Sequence, residues 1–235
     1  VEYAEALSNI DFSLFTVDTD GSLRPAGQGR ELISVPVAGE LVDHMLLQLH
    51  NGLSSLYEIS PQRVHFSHRC SIHTHVDVSD FSLDQLVVLT AAYLCVENIM
   101  LSFVDELRTK NNFCAPLSTL DVTRQMIATP RMHGGTAVKY FAMNFGCASR
   151  QGTVEFRALE GTNDIVKLSK WISLCQGLVD FVAASDIVTL RKRILALNTN
   201  SEYNLFAEQA LPGLMVPDYK LAMEENVALA KRIVY

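Results

Sequence analysis

From Leu86 to Val104 the chain is almost unbroken hydrocarbon, interrupted only by Thr90, Glu97, Asn98 and Ser102. Ser82 stands before this run with Gln85 three positions on, the arrangement of a capping box, and together they predict a helix from Leu83 to about Thr109. Its apolar residues go all the way round instead of forming a stripe, so such a helix has to be enclosed by other elements. The four polar breaks argue for a protein interior over a membrane span. Whatever else the chain forms must therefore wrap this helix.

The surrounding sequence supplies strands first and helices last. "VEYAEAL", "FSLFTV" and "RELISVPV" read as short β segments, the last two joined by the turn "DTDGS". Leu41, Met45, Leu49, Leu53 and Leu56 recur at helical spacing and predict an amphipathic helix over 40–56. "RVHFSH" and "CSIHTHVDV" return to strand-like sequence. Beyond the long helix, "KYFAMNFGC" and "TVEFRAL" flank the polar "ASRQG" as the arms of a hairpin would. Residues 164–235 read as mostly helical, with breaks near 198–201 and 212–217. Paired β segments with helices interspersed and then segregated predict an α+β fold with a mainly antiparallel sheet. At 235 residues and 49% hydrophobic, the chain can bury one large core.

Composition removes several classes of function. The formal net charge is −7 and the pI about 5.5, so no broad basic field attracts nucleic acid or an anionic membrane. Five cysteines without a CxxC pair are an odd number of scattered thiols, which fits a reducing, cytoplasmic setting and offers no zinc set. No signal peptide is read, and no glycine-rich phosphate loop is present, so a bound nucleotide has to be held by other means.

Polar residues recur on one face of the predicted strands. In "HTHVDVS", His73, His75 and Asp77 fall at every second position, with β-branched residues between them. In "GTVEFRALEGTN", Glu155 and Arg157 share a face with Leu159, opposite Val154, Phe156 and Ala158. Alone, each pattern has a plain reading: a hydrogen-bonded structural histidine, or an exposed ion pair on a sheet. Repetition changes that, because Glu2, Glu31 and Asn144 sit in strand-like segments of the same kind. If these faces converge they form a cup of carboxylates with imidazole and guanidinium, a composition suited to divalent metal and phosphate.

"GRELISVPV", "CSIHTHVDVS", "RTKNNFCAPL", "YFAMNF" and "GTVEFRALEGTND", in this order and spacing, resemble the amidoligases found in phage and bacterial genomes. These are carboxylate-amine ligases of the glutamine synthetase and glutamate-cysteine ligase superfamily. The resemblance covers roughly residues 1–185 as a catalytic domain, leaving 186–235 as a helical extension packed on it. It implies a curved antiparallel sheet whose concave face binds ATP with Mg²⁺ or Mn²⁺, an acyl phosphate formed on one substrate's carboxylate, and displacement of phosphate by the amine of another. Partners are then small-molecule or peptide acids and amines, with a homo-oligomer allowed.

By the same resemblance Glu2, Glu31, His73 and Glu155 match metal ligands. Arg157 matches the phosphate-contacting arginine, with Glu155 and Asp20 beside the reaction. Arg108 and Asn111 match an Arg-x-x-Asn segment facing nucleotide or substrate. Asn144 is placed with the nucleotide, and His75 and Asp77 with the substrate. Two departures stand out: Ala4 where the first strand's second glutamate is usual, with Glu5 one position on, and Ser71 in place of a glycine. Ala4 motivates one alternative, a ligase fold that binds nucleotide without turnover. Histidines at alternate strand positions also open the metal site of several hydrolase barrels; that second alternative needs later histidines, and only His133 follows His75.

Overall fold

The computed structural model of the chain describes residues 13–19, 29–59, 66, 69–110, 112–129, 138–214 and 222–235. The first predicted strand with Glu2, Ala4 and Glu5, and likewise Asp20 and Asn111, lie outside the described residues. The fold is α+β with small antiparallel sheets. It divides into two compact units, 1–71 with 160–171 and 72–159 with 172–235.

In the first unit β1 (Phe15–Thr19) pairs antiparallel with β2 (Arg30–Ser34), Phe15 opposite Ser34 and Asp18 opposite Glu31. The expected amphipathic helix is α1 (Glu40–Ile59), one turn longer than its apolar spacing indicated. It buries Met45, Leu46, Leu53 and Leu56, while Leu41, counted in the apolar spacing, is exposed.

The second unit is built on the long apolar helix, α2 (Leu83–Ser102). Its capping box forms: Ser82 Oγ accepts from the Gln85 N–H at 3.2 Å and Gln85 Oε1 accepts from the Ser82 N–H at 2.9 Å. Every residue from Val87 to Glu97 is buried, as an all-round apolar helix requires. Its polar residues are provided for. Thr90 Oγ1 donates to the Leu86 carbonyl, Ser102 Oγ to that of Ile99, and the Glu97 carboxylate accepts the N–H groups of Leu117 and Ser118 at the 3₁₀ turn Leu117–Thr119. Burial pushes the Glu97 carboxyl up, and these hydrogen bonds oppose it.

The helix stops at Ser102, short of the expected Thr109. Asp105 supplies the reason: its carboxylate accepts the Leu107 N–H at 2.8 Å and caps a separate turn, α3 (Glu106–Thr109). Three strands of this unit run in the order β3 (Thr74–Asp77), β5 (Thr153–Phe156), β4 (Met143–Asn144), antiparallel throughout. The Phe156 ring packs 5.9 Å from that of Tyr93 on α2. β4 and β5 pair as expected, but "ASRQG" is no simple loop. A 3₁₀ turn (Phe145–Cys147) and α4 (Ala148–Gln151) fill it, and Gly152 at φ +69° turns the chain into β5.

The C-terminal helices are α5 (Ile165–Ala183), which runs through the boundary between units, α6 (Ile187–Ala196), α7 (Asn200–Ala210) and α8 (Ala222–Val234). The break before α7 falls where expected, capped by Thr199 and Glu202. The break before α6 was not foreseen; Asp186 makes it by accepting the Thr189 N–H. α6, α7 and α8 all pack on α2, and Tyr203 of α7 donates its hydroxyl to the Cys95 carbonyl at 2.6 Å. Arg191 donates to the Val234 carbonyl, and the Arg193 guanidinium lies over the Phe181 and Phe206 rings at 5.9 and 5.8 Å.

Gly152 gives this fold a direct test. A Cβ there would meet the Ser79 Cβ at 3.0 Å from a left-handed backbone. Gly152→Ala is expected to lower stability by about 1–2 kcal/mol, read as a shift of the urea midpoint. An unchanged midpoint would show that this turn carries no strain.

Candidate active site

β5 is the middle strand, and its register sets the site. His75 of β3 and Asn144 of β4 both stand opposite Glu155, so one row across the sheet reads imidazole, carboxylate, amide. His73 and Arg157 lie two residues along their chains from His75 and Glu155, on the same side by strand alternation.

The side chains converge on the Glu155 carboxylate. Its Oε1 is ion-paired with Arg157 Nη1 and lies 3.2 Å from His73 Nδ1 and 3.8 Å from His75 Nε2. Its Oε2 accepts from Asn144 Nδ2 at 2.7 Å and from the Cys147 thiol at 3.5 Å. His75 Nδ1 is 2.9 Å from Thr153 Oγ1. Asn144 is itself fixed, its Oδ1 accepting the Gly146 N–H. Arg157 Nε donates to the Phe113 carbonyl at 3.5 Å. Arg108 donates to the carbonyls of Arg157 (3.0 Å) and Ala158 (3.2 Å), just after β5, and its own carbonyl accepts the Cys114 thiol. Asn144, Glu155, Arg157 and Arg108 are all buried. The His73 and His75 side chains retain 27% and 38% exposure, so solvent reaches the cluster past the imidazoles.

Charge follows from these contacts. Burial would raise the Glu155 carboxyl, but the Arg157 guanidinium, His73 and the Asn144 hydrogen bond outweigh it and hold the group below its ordinary range. Burial, then Arg157, push His73 down to about 4 against the pull of Glu155. His75 is lowered as well, by burial foremost. Near neutrality the cluster is one carboxylate, one guanidinium and two neutral imidazoles. Burial and the neighbouring Glu155 charge raise Cys147 to about 11, and burial raises Cys114, so both remain thiols.

Of the residues singled out in the sequence, His73, His75, Asn144, Glu155 and Arg157 come together, with Arg108 bracing the chain just after β5. Asn144 reaches the carboxylate, and Arg108 reaches backbone carbonyls. Asp77 is exposed at the end of β3, where its carboxylate accepts the Ser79 N–H at 2.9 Å and shapes the turn toward α2. Glu31 is exposed on β2 in the other unit; Glu2, Asp20 and Asn111 are outside the described residues. Sequence reading passed over Thr153, Cys147 and the Phe113 carbonyl. Thr153 follows once the strand register is known; the other two depend on the irregular turns around 113 and 145–147, which leave no periodic signal.

Among the described residues, no group of three or more His, Cys, Asp or Glu stands arranged to hold a metal ion. His73 and Glu155 do supply a neutral imidazole and an ionised carboxylate 3.2 Å apart, a donor pair of the kind a divalent ion takes when phosphate and water complete its shell.

A family model described as "putative amidoligase enzyme" matches residues 5–179, most of the chain and every member of this cluster. No curated protein and no solved structure matches.

Two measurements check the electrostatics. Unfolded His73 titrates near 6.5 and folded His73 near 4, so the unfolded state binds more protons between those values. Stability from this group is therefore complete above about pH 6.5 and declines as pH falls toward 4, by at most about 1.4 kcal/mol per pH unit for one proton. In metal-free buffer, urea unfolding of His73→Gln should depend less steeply on pH across that window than wild type; parallel curves would refute the assignment. Separately, Arg157→Met leaves the Glu155 charge buried without its cation and should cost about 3–5 kcal/mol. The double variant Glu155→Gln/Arg157→Met should lose less than the two single changes summed, and strict additivity would mean the pair is not coupled.

Proposed function

The chain belongs to the amidoligase family, and on that premise we propose that it joins a carboxylate to an amine at the expense of ATP, in a catalytic domain with the curved sheet of the glutamine synthetase type. The observation that carries this reading is the Glu155–Arg157 pair, buried beneath two neutral imidazoles and inside the matched span. A carboxylate and a guanidinium side by side can address, respectively, a cation and the phosphate it accompanies.

His73 and Glu155 would hold Mg²⁺ or Mn²⁺. When bound, the ion offsets the negative charge of the triphosphate. Arg157 is a fixed cation anchored through Phe113 and Glu155, and turned to the γ-phosphoryl it would stabilise charge as transfer proceeds. The acid substrate's carboxylate oxygen would attack that phosphorus as ADP leaves; the amine nitrogen would then attack the acyl carbon, inorganic phosphate would leave, and the proton shed by nitrogen would pass to solvent. His75 is the more exposed imidazole, with Nδ1 beside Thr153 Oγ1, and would be the one to meet substrate. Asn144 keeps the carboxylate oriented, and Arg108 keeps the strand in place. Asp20, Asn111 and Asp77 would complete the nucleotide and substrate contacts. A second reading, nucleotide binding without turnover, is favoured by one observation, Ala4 in the first-strand motif.

Phosphate release from ATP, followed with Mg²⁺ against pools of amino acids, amines and peptides, tests the proposal. Release is expected only with an acid and an amine together, and should fall to background in Glu155→Gln. His73→Asn, which leaves the Glu155–Arg157 pair in place, should do the same while melting as a folded protein. Turnover retained in both variants would refute the site.

A further inference from the structure

Two large aromatic side chains beside the site remain half-exposed: Phe113 at 39% and Tyr140 at 40%. Their rings meet edge-to-face, 6.0 Å apart at 70°, and Lys139 Nζ lies 5.9 Å from the centre of the Tyr140 ring. They are not stray surface groups on loose loops. The Ala115 N–H donates to the Tyr140 carbonyl at 2.9 Å, the Ala142 N–H to that of Ala115 at 2.8 Å, and the Arg157 N–H to that of Ala142 at 2.8 Å. The two ring-bearing segments are thus stitched to each other and to the residue after β5. On the Phe113 side there is also a direct link to the site, since its carbonyl receives Arg157 Nε at 3.5 Å.

We propose that Phe113 and Tyr140 form the seat on which the base of the nucleotide stacks, with Lys139 and Arg157 meeting the phosphate chain that leaves it. The inference rests on the ATP-dependent reading above and adds a subsite to it. The argument is one of matched chemistry. A flat ring presented to solvent offers a π-face that any purine can cover, whereas an aliphatic side chain would gain little from the rings' geometry. The cations beside the rings suit a ligand that is planar at one end and polyanionic at the other. An uncharged apolar acceptor would use the rings and have no use for Lys139.

Calorimetric titration in Mg²⁺ buffer with ATP and with inorganic tripolyphosphate tests this on wild type, Phe113→Ala, Tyr140→Ala and the conservative Phe113→Tyr and Tyr140→Phe. Both rings are half-exposed, so truncation should leave the thermal midpoint nearly unchanged. ATP affinity is expected to drop about tenfold or more in each alanine variant, the weight of a base–ring stack, with tripolyphosphate affinity unchanged and the conservative variants close to wild type. ATP bound equally well by the alanine variants overturns the proposal, as does equal affinity of wild type for ATP and tripolyphosphate; both leave the ligase reading standing. A parallel loss of both ligands overturns it in favour of a structural role. Wild type that binds neither ligand removes the ATP-dependent reading and this subsite with it.

Discussion

The ion pair between Glu155 and Arg157 is the constraint around which the sheet unit is organised. Removing two charges from water costs several kcal/mol per ion, and their attraction repays that only where the remaining lone pairs and protons are also met. Here they are met from every side: Asn144 and Cys147 on one carboxylate oxygen, the imidazoles near the other, and the Phe113 carbonyl on the guanidinium. Those partners are delivered by three separate pieces of backbone. β3 brings the histidines, β4 and its following turn bring the amide and the thiol, and the loop after α3 brings the carbonyl. The strand pairing that makes the fold and the contacts that make the site are one set of requirements.

That arrangement needs a rigid back wall, and α2 provides it. A helix buried over eleven consecutive residues from Val87 to Glu97 cannot shift without opening the core, so the sheet laid on Tyr93 is held in one position. The helices after residue 186 add to the same wall, with Tyr203 fixed to the α2 backbone.

Period-two alternation was enough to put His73 with His75, and Glu155 with Arg157, on common faces, and the capping box marked the start of α2 correctly. What alternation could not supply was the depth of the sheet. β5 reads as a half-exposed strand, yet Glu155 and Arg157 are buried along with Val154 and Phe156, because neighbours too distant in sequence to read cover both faces. Asp77 shares the histidines' period, but the strand ends with it and its carboxylate turns to the nearest backbone N–H. Asp105 and Asp186 likewise stop helices that hydropathy alone would extend. Short side-chain-to-backbone bonds decide these ends, and an apolar count does not see them. The alternation also left Asn144 without a stated partner; only the pairing of a two-residue strand reveals it.

Glu97 has a consequence for how such a chain can diversify. It holds the 3₁₀ turn after Phe113 through the main-chain N–H groups of Leu117 and Ser118, with the Ser118 side chain adding to the grip. A backbone grip of this kind makes no demand of its own on the side chains around it, proline at the gripped positions excepted, since proline has no N–H to give. Replacements at the exposed positions of 112–119 can therefore accumulate, while the buried Cys114 and Leu117 keep the segment docked. Ligand preference can drift in this part of the molecule without the core being re-engineered.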